Sequence, residues 1–315
     1  MNKNSNKIAI IASTITTAIH IINKIQYSAS TAREILSSTY NQYYEWRFGK
    51  IRYTKRGNGT PLLLIHDLTV GSSGYEFHKI IDQLSKQYEV YCIDMLGYGL
   101  SDKPNITYTS FLYVQLITDF IKTVIGRKTN VIATGDSSSL VVMTCHNNPE
   151  VFNKLFFINP QSLYQFHLIP SKKTKALKII IDTPILGTFI YNIITSKYSY
   201  KKLFRKYYYA NADRIEKEEI MAYIESSHIN DYNSKYSFSS YIGRYMNLNI
   251  LHSLKEINHS IFIIAGKEKK ESESIVKSYL SYNNSIETIY ISDTKQYPHL
   301  EAPQKVINQL DIFLN

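Results

Sequence analysis

Short apolar runs alternate with longer amphipathic stretches along most of this chain. After Trp46, FGKIRYTKRGNG alternates polar and apolar positions and closes on a glycine turn, which predicts a strand. PLLLIHD is a continuous apolar run, as expected for a strand covered on both faces. YEFHKIIDQLSKQ then has helical spacing, EVYCIDM reads as a strand, SFLYVQLITDFIKTVIG as a helix and TNVIAT as a strand. SLVVMTCHNNPEVF and KLFFINP repeat the pair. Between residues 161 and 257 the rhythm turns helical and tyrosine-rich, and strands resume with SIFIIAG and SIETIYIS before a last helix, PQKVINQLDIFL. The alternation predicts a mainly parallel sheet with helices on both faces, interrupted by a helical insertion before its last two strands. The expected organisation is a hydrophobic N-terminal segment over 1–27, a polar linker over 28–44, a core over 45–160 and 258–315, and the insertion over 161–257.

The N-terminal segment carries 16 uncharged residues between Lys7 and Lys24. As a helix these reach about 24 Å, short of a hydrocarbon core of about 30 Å. An uncleaved membrane anchor is the favoured expectation, with a signal peptide or an ordinary helix as alternatives; the last two leave a secreted or a cytoplasmic protein. Charge strengthens the membrane expectation. The 315 residues include 36 Lys+Arg and 26 Asp+Glu, a net charge of +10. Between Ser171 and Tyr208 nine basic residues face only Asp182. Such a stretch suits an anionic surface or a solvated helix face. No nucleic-acid-reading motif accompanies it, so nucleic acid is not an expected partner. Two cysteines, Cys92 and Cys145, exclude a disulfide framework, and neither a metal-ligand constellation nor a glycine-rich phosphate loop is legible in the spacing, so no metal or cofactor is expected.

Three turns stand at strand ends. They are Ile65-His66-Asp67-Leu68, the run from Asp94 to Pro104 (DMLGYGLSDKP), and Gly135-Asp136-Ser137-Ser138-Ser139. The third follows a strand and opens a helix, the setting of a nucleophile elbow, with Gly135 and Ser139 as the small residues flanking Ser137. Together with the closing segment YPHLEAPQKVINQLDIFL, these motifs resemble the α/β-hydrolase fold superfamily over residues 46–315.

The resemblance implies an α/β-hydrolase-like sheet whose helical insertion is a cap over the substrate pocket. It implies Ser137 as nucleophile and the backbone N–H groups of Leu68 and Ser138 as the oxyanion hole. Asp136 is the alternative, carboxylate nucleophile. The usual histidine position holds Gln296, which has no basic site. His299, three residues on, is the remaining candidate base. The usual acid position holds Lys269, with Glu268 and Glu271 flanking it, and Glu268 is the candidate acid; the alternative acid position holds Asn159. Asp67 stands beside the oxyanion hole, where its charge opposes the developing anion. Two functions follow. One is a serine hydrolase acting on a small apolar ester or related acyl bond. The other is a catalytically degenerate member that binds an apolar ligand or a protein partner.

Overall fold

Strand β3 (Thr60–Ile65) shows why the central sheet forms: Leu63 and Ile65 pack into one apolar layer, Leu62 and Leu64 into the other. A strand buried on both faces must be apolar at every position, and both layers then need helices over them. The computed structural model describes residues 3–230 and 232–314, with only the helical backbone described for residues 3–12 and Ile15. Helix α1 (Lys3–Thr31) is followed by the hairpin of β1 (Asn41–Trp46) and β2 (Gly49–Arg56), then β3. After it come α2 (Ile81–Leu84), β4 (Tyr88–Ile93), α3 (Ser110–Phe120), β5 (Thr129–Thr134), α4 (Ser137–Asn147) and β6 (Phe152–Ile158). Helices α5 (Leu163–Phe166), α6 (Lys172–Asp182), α7 (Leu186–Ile194), α8 (Lys197–Leu203), α9 (Lys217–His228), α10 (Ser234–Ile242) and α11 (Leu251–Glu256) then intervene. The chain closes with β7 (Ile261–Gly266), α12 (Ser272–Tyr282), β8 (Glu287–Ile291), α13 (Pro298–Glu301) and α14 (Pro303–Leu314).

The eight strands form one sheet in the order β1-β2-β4-β3-β5-β6-β7-β8. Pairing is antiparallel for β1–β2 and β2–β4 and parallel from β4 onward. Residues of α3, α4 and α12 join the layer under Leu63, and residues of α2 and α14 join the layer under Leu64. In α/β sheets of this kind ligands meet the loops at the carboxyl ends of the parallel strands. Those ends carry Ile65-His66-Asp67, Ile93-Asp94 and Thr134-Gly135-Asp136.

Two local expectations change. Helix α1 continues through Thr31 and β1 starts at Asn41, so the polar run read as a linker over 28–44 is partly helix and partly strand. The YEFHKIIDQLSKQ stretch forms only a 3-10 turn over Gly74–Phe77 and the one-turn α2. The 3-10 turn is capped by the Ser73 side chain and tied by the Gly74 N–H to the Asp94 carboxylate at 2.6 Å.

Candidate functional site

The turn after β5 places its one left-handed residue at Gly135, φ +53°, and Asp136 already has helical dihedrals. In a nucleophile elbow the reacting side chain sits on the strained residue between strand and helix, and the N–H of the next residue helps form the oxyanion hole. The strained position here is Gly135, which has no side chain. Ala133 and Ser137 are then the small residues two positions either side, the same spacing in a register shifted by two.

Ser137 is accordingly the first residue of α4, fully buried, and its hydroxyl donates to the His66 carbonyl oxygen at 2.5 Å. Its expected partners are elsewhere. His299 is fully buried in α13, stacked on Phe77 with ring centroids 5.4 Å apart. Among the described residues neither of its ring nitrogens has a hydrogen-bond partner, and Glu76 Oε1 lies 3.5 Å from Nε2. Burial drives this imidazole down to about 3, so it is a poor proton acceptor. Pro298 starts the one-turn helix that buries His299 behind Glu76 and Phe77. Glu268 is exposed on the loop after β7, where its N–H donates to the Thr294 carbonyl. The base and acid assignments of His299 and Glu268 are therefore corrected: both side chains lie outside hydrogen-bond reach of Ser137.

Of the two N–H groups expected at an oxyanion hole, Ser138 N–H turns back to the Gly135 carbonyl, whereas Leu68 N–H converges with the N–H of Asp136. Both converging donors are taken by one acceptor: Asp67 Oδ1 lies 2.8 Å from Leu68 N and 2.9 Å from Asp136 N. A Cβ placed on Gly135 would overlap the Asp67 carboxyl group. Asp67 thus takes both N–H donors and the space that a side chain at position 135 would need.

Around this plug lies a buried acidic cluster. Asp67 Oδ2 receives the Tyr297 hydroxyl at 3.3 Å, and Asp136 Oδ2 receives the Tyr241 hydroxyl at 3.0 Å. Glu76, fully buried, accepts from the Thr134 hydroxyl and from Asp67 N–H. Burial raises Asp67, Glu76 and Asp136 each to about 7; for Asp67 the neighbouring Glu76 adds to the rise, and for Asp136 the neighbouring Asp67 does. Lys269, at the usual acid position, is half-buried and faces Asp67 and Asp136; burial lowers its ammonium and the two carboxylates oppose that. His66 is structural: its Nδ1 meets the Asp67 carbonyl at 2.6 Å and its Nε2 accepts from Met95 N–H at 3.0 Å. Those roles define a neutral ring, in keeping with the downward shift that burial imposes. Asn159, at the alternative acid position, is a clamp. Its amide nitrogen donates to the carbonyls of Lys295 and Gln296 at 2.6 and 2.8 Å, and its Oδ1 accepts from Gly266 N–H.

The buried carboxyls carry a pH prediction. Below its ordinary value of 3.8 Asp67 is protonated in both folded and unfolded chains, and between there and about 7 only the native state keeps the proton. The native state binds more protons in that window, so stability falls as pH rises through it. Wild type should lose stability relative to Asp67→Asn from about pH 4 to about pH 7, with no further divergence above. Urea midpoints of the two proteins across this range check it; parallel curves would refute it.

Tertiary packing also assembles two groups that linear spacing did not reveal. Ligand atoms of His146, His252 and Glu256 lie within 4.8 Å of one another on the outer surface of α4 and α11. His78, Glu216 and Glu219 do likewise, but Lys79 already bridges both glutamates at 2.8 and 2.7 Å. Neither group touches the Asp67 site.

Sequence comparison places residues 60–178 on the family model for the alpha/beta hydrolase fold. The 2-hydroxy-6-oxo-6-(2'-aminophenyl)hexa-2,4-dienoic acid hydrolase of Metapseudomonas resinovorans is 32% identical over 116 residues, 36% of this chain and 39% of that enzyme. The soluble epoxide hydrolase of Corynebacterium sp. (strain C12) is 24% identical over 110 residues, 35% of this chain and 38% of that enzyme. The matched stretch therefore spans about two fifths of these relatives' length. In three dimensions a serine hydrolase involved in carbazole degradation superposes with a TM-score of 0.69 at 16% identity, over 87% of this chain and 98% of its own. A membrane phospholipase A superposes with a TM-score of 0.69 at 14% identity, over 98% of this chain and 96% of its own. These likenesses and the mainly parallel eight-stranded sheet show that the chain has the α/β-hydrolase fold.

Proposed function

We propose that this protein is a hydrolase-fold receptor for a small apolar ligand, in which the machinery of serine-ester hydrolysis has been replaced. The single observation that carries this reading is the double role of Asp67. Its carboxyl oxygen holds both N–H donors that would stabilise an oxyanion, and its bulk excludes a side chain from Gly135. An ionised Asp67 would repel a developing oxyanion, and a protonated one still occupies the donors. Loss of a single oxyanion-hole donor costs about 100- to 1,000-fold in turnover, and here both are engaged. Gln296 cannot take a proton and Lys269 cannot orient a base. The helices between β6 and β7 act in this reading as a cap. They bring the Tyr241 hydroxyl to Asp136, and Lys269 faces the same carboxyl group, so Asp136, Tyr241 and Lys269 form the polar anchor in this reading.

The test is fluorophosphonate labelling together with turnover of short and medium p-nitrophenyl esters. Wild type and Ser137→Ala should both be unlabelled and inactive. Labelling or turnover that disappears in Ser137→Ala would overturn the proposal. A second reading, acid–base hydrolysis without a serine, draws on the raised Asp67–Asp136 pair, since a carboxyl poised near neutral pH suits proton transfer. It requires hydrolysis of an epoxide or ester that persists in Ser137→Ala and is lost in Asp136→Asn.

A further inference from the structure

Helix α1 packs on the rest of the molecule with its polar residues inward. Asn23 is buried and its Oδ1 accepts from Asn192 Nδ2 at 2.7 Å, while Gln26 donates to the Asn192 carbonyl at 3.0 Å. Ile21, Ile22 and Ile25 point outward, and Ile25 is 64% exposed. A helix on a water-facing surface has the opposite arrangement, with its apolar stripe against the core. Helix α7, which α1 contacts, repeats the pattern. It contains no charged residue, and Leu186 and Ile193 on its outer side are 54% and 56% exposed. Leu177, Ile179 and Ile180 of the neighbouring α6 are exposed as well. Isolated exposed apolar residues need no explanation, but three adjoining helices that present them together mark a surface awaiting an apolar partner.

Charge identifies that partner. Exposed Lys172, Lys173 and Lys175 lie at the start of α6, and Lys197, Lys201 and Lys202 on α8 immediately follow α7. Apolar side chains bordered by cations, with nearly no acid among them, match the layering of an anionic leaflet, where acyl chains lie beneath negative head groups. No single helix among the described residues is long and apolar enough to cross a bilayer; α6 and α7 reach that hydropathy only as a pair bent by 100°. This geometry suits lying in an interface.

We propose that the α1–α6–α7 face docks this protein onto an anionic lipid bilayer, with the apolar side chains of α1 and α7 entering the acyl region and the lysines of α6 and α8 at head-group level. The inference is independent of whether the Asp67 site turns over a substrate. It is tested by flotation of the full chain with vesicles of phosphatidylcholine alone and of phosphatidylcholine with 30% phosphatidylglycerol. Wild type should float with the anionic vesicles and at least tenfold less with neutral ones. Leu186→Glu/Ile193→Glu should lose flotation with both while keeping the wild-type circular dichroism spectrum. Lys197→Glu/Lys201→Glu/Lys202→Glu should lose only the preference for anionic lipid. Because both sets of substitutions lie outside α1, insertion of α1 by itself would leave flotation of both variants at the wild-type level, and that result would overturn the proposed face. A wild-type chain that floats with neither vesicle but forms a dimer broken by Leu186→Glu/Ile193→Glu would overturn it in favour of a second copy of the chain.

Discussion

Gly135→Ser should strongly destabilise the protein, and Asp67→Gly should rescue much of the loss. The new Cβ would stand on a left-handed residue, φ +53°, and would overlap the Asp67 carboxyl group. A non-glycine residue held in that region costs about 1–3 kcal/mol, and overpacking a closed site adds about 1–3 kcal/mol. The single variant should lose about 3 kcal/mol or more. Removing the Asp67 side chain clears the overlap but leaves the backbone strain, so the coupling between the two substitutions should be about 2 kcal/mol. Urea unfolding of wild type, both single variants and the double variant measures it; additive losses would show that the two positions do not compete for space. Restoring chemistry takes more. With Gln296→His and Lys269→Asp added, the site would regain a nucleophile, two free N–H donors, a base and an acid, and fluorophosphonate labelling at position 135 should appear. Gln296→His and Lys269→Asp without Gly135→Ser should leave the protein unlabelled.

Asp94→Ala should be the most damaging single truncation away from the site. The Asp94 carboxylate accepts Gly74 N–H at 2.6 Å and Leu100 N–H at 2.9 Å, and it faces Arg52 Nη1 at 3.5 Å, with both side chains almost wholly buried. The Asp94 to Pro104 turn is wound around it so closely that a Cβ on Gly99, φ +49°, would collide with the carboxylate. Alanine would remove the acceptor of the buried Gly74 N–H and of the half-buried Leu100 N–H. Among the described residues Arg52 would keep Asn41 as its side-chain partner, through Nε and Nη2 at 2.9 and 2.6 Å. Breaking a buried pair by removing one partner costs about 3–5 kcal/mol, a large fraction of a domain's stability. Asp94→Asn should cost less, because one amide oxygen can still receive a backbone N–H. Chemical denaturation of the three proteins orders them, and an Asp94→Ala loss below that of Asp94→Asn would contradict the assignment.

One short stretch carries two overlapping registers of the elbow. Gly135-Asp136-Ser137-Ser138-Ser139 satisfies the spacing of an elbow around Ser137, and Ala133-Thr134-Gly135-Asp136-Ser137 satisfies it equally around Gly135. Composition cannot separate two overlapping registers of small residues, because both place little bulk where backbones crowd. The dihedral angles do: only Gly135 among these residues is left-handed, and the N–H that converges with Leu68 belongs to Asp136. The aspartate that follows His66 was visible as an anomaly, yet its meaning needed a distance, since a carboxylate beside an anion pocket either turns away or fills it. The same holds for His299. Its survival near the closing loop made it the natural base, and only the packing of α13 against Phe77 removed it from the site.

By itself the sequence determined strands β2 to β8, most of their covering helices and the fold, though not β1 or the shortness of α2, because periodicity and turn chemistry are local: apolar runs such as PLLLI and TNVIAT can be satisfied only between two helical layers. It also disclosed that histidine and acid were missing from their usual places, since Gln296 and Lys269 are identities and need no coordinates. Which residue occupies the elbow, what fills the donor pair and which side of α1 faces outward were decided by tertiary structure alone. Each depends on where groups distant in the chain converge, Asp67 on Gly135 and Asn23 on Asn192, and burial, strain and hydrogen bonding act through that convergence rather than through the order of residues.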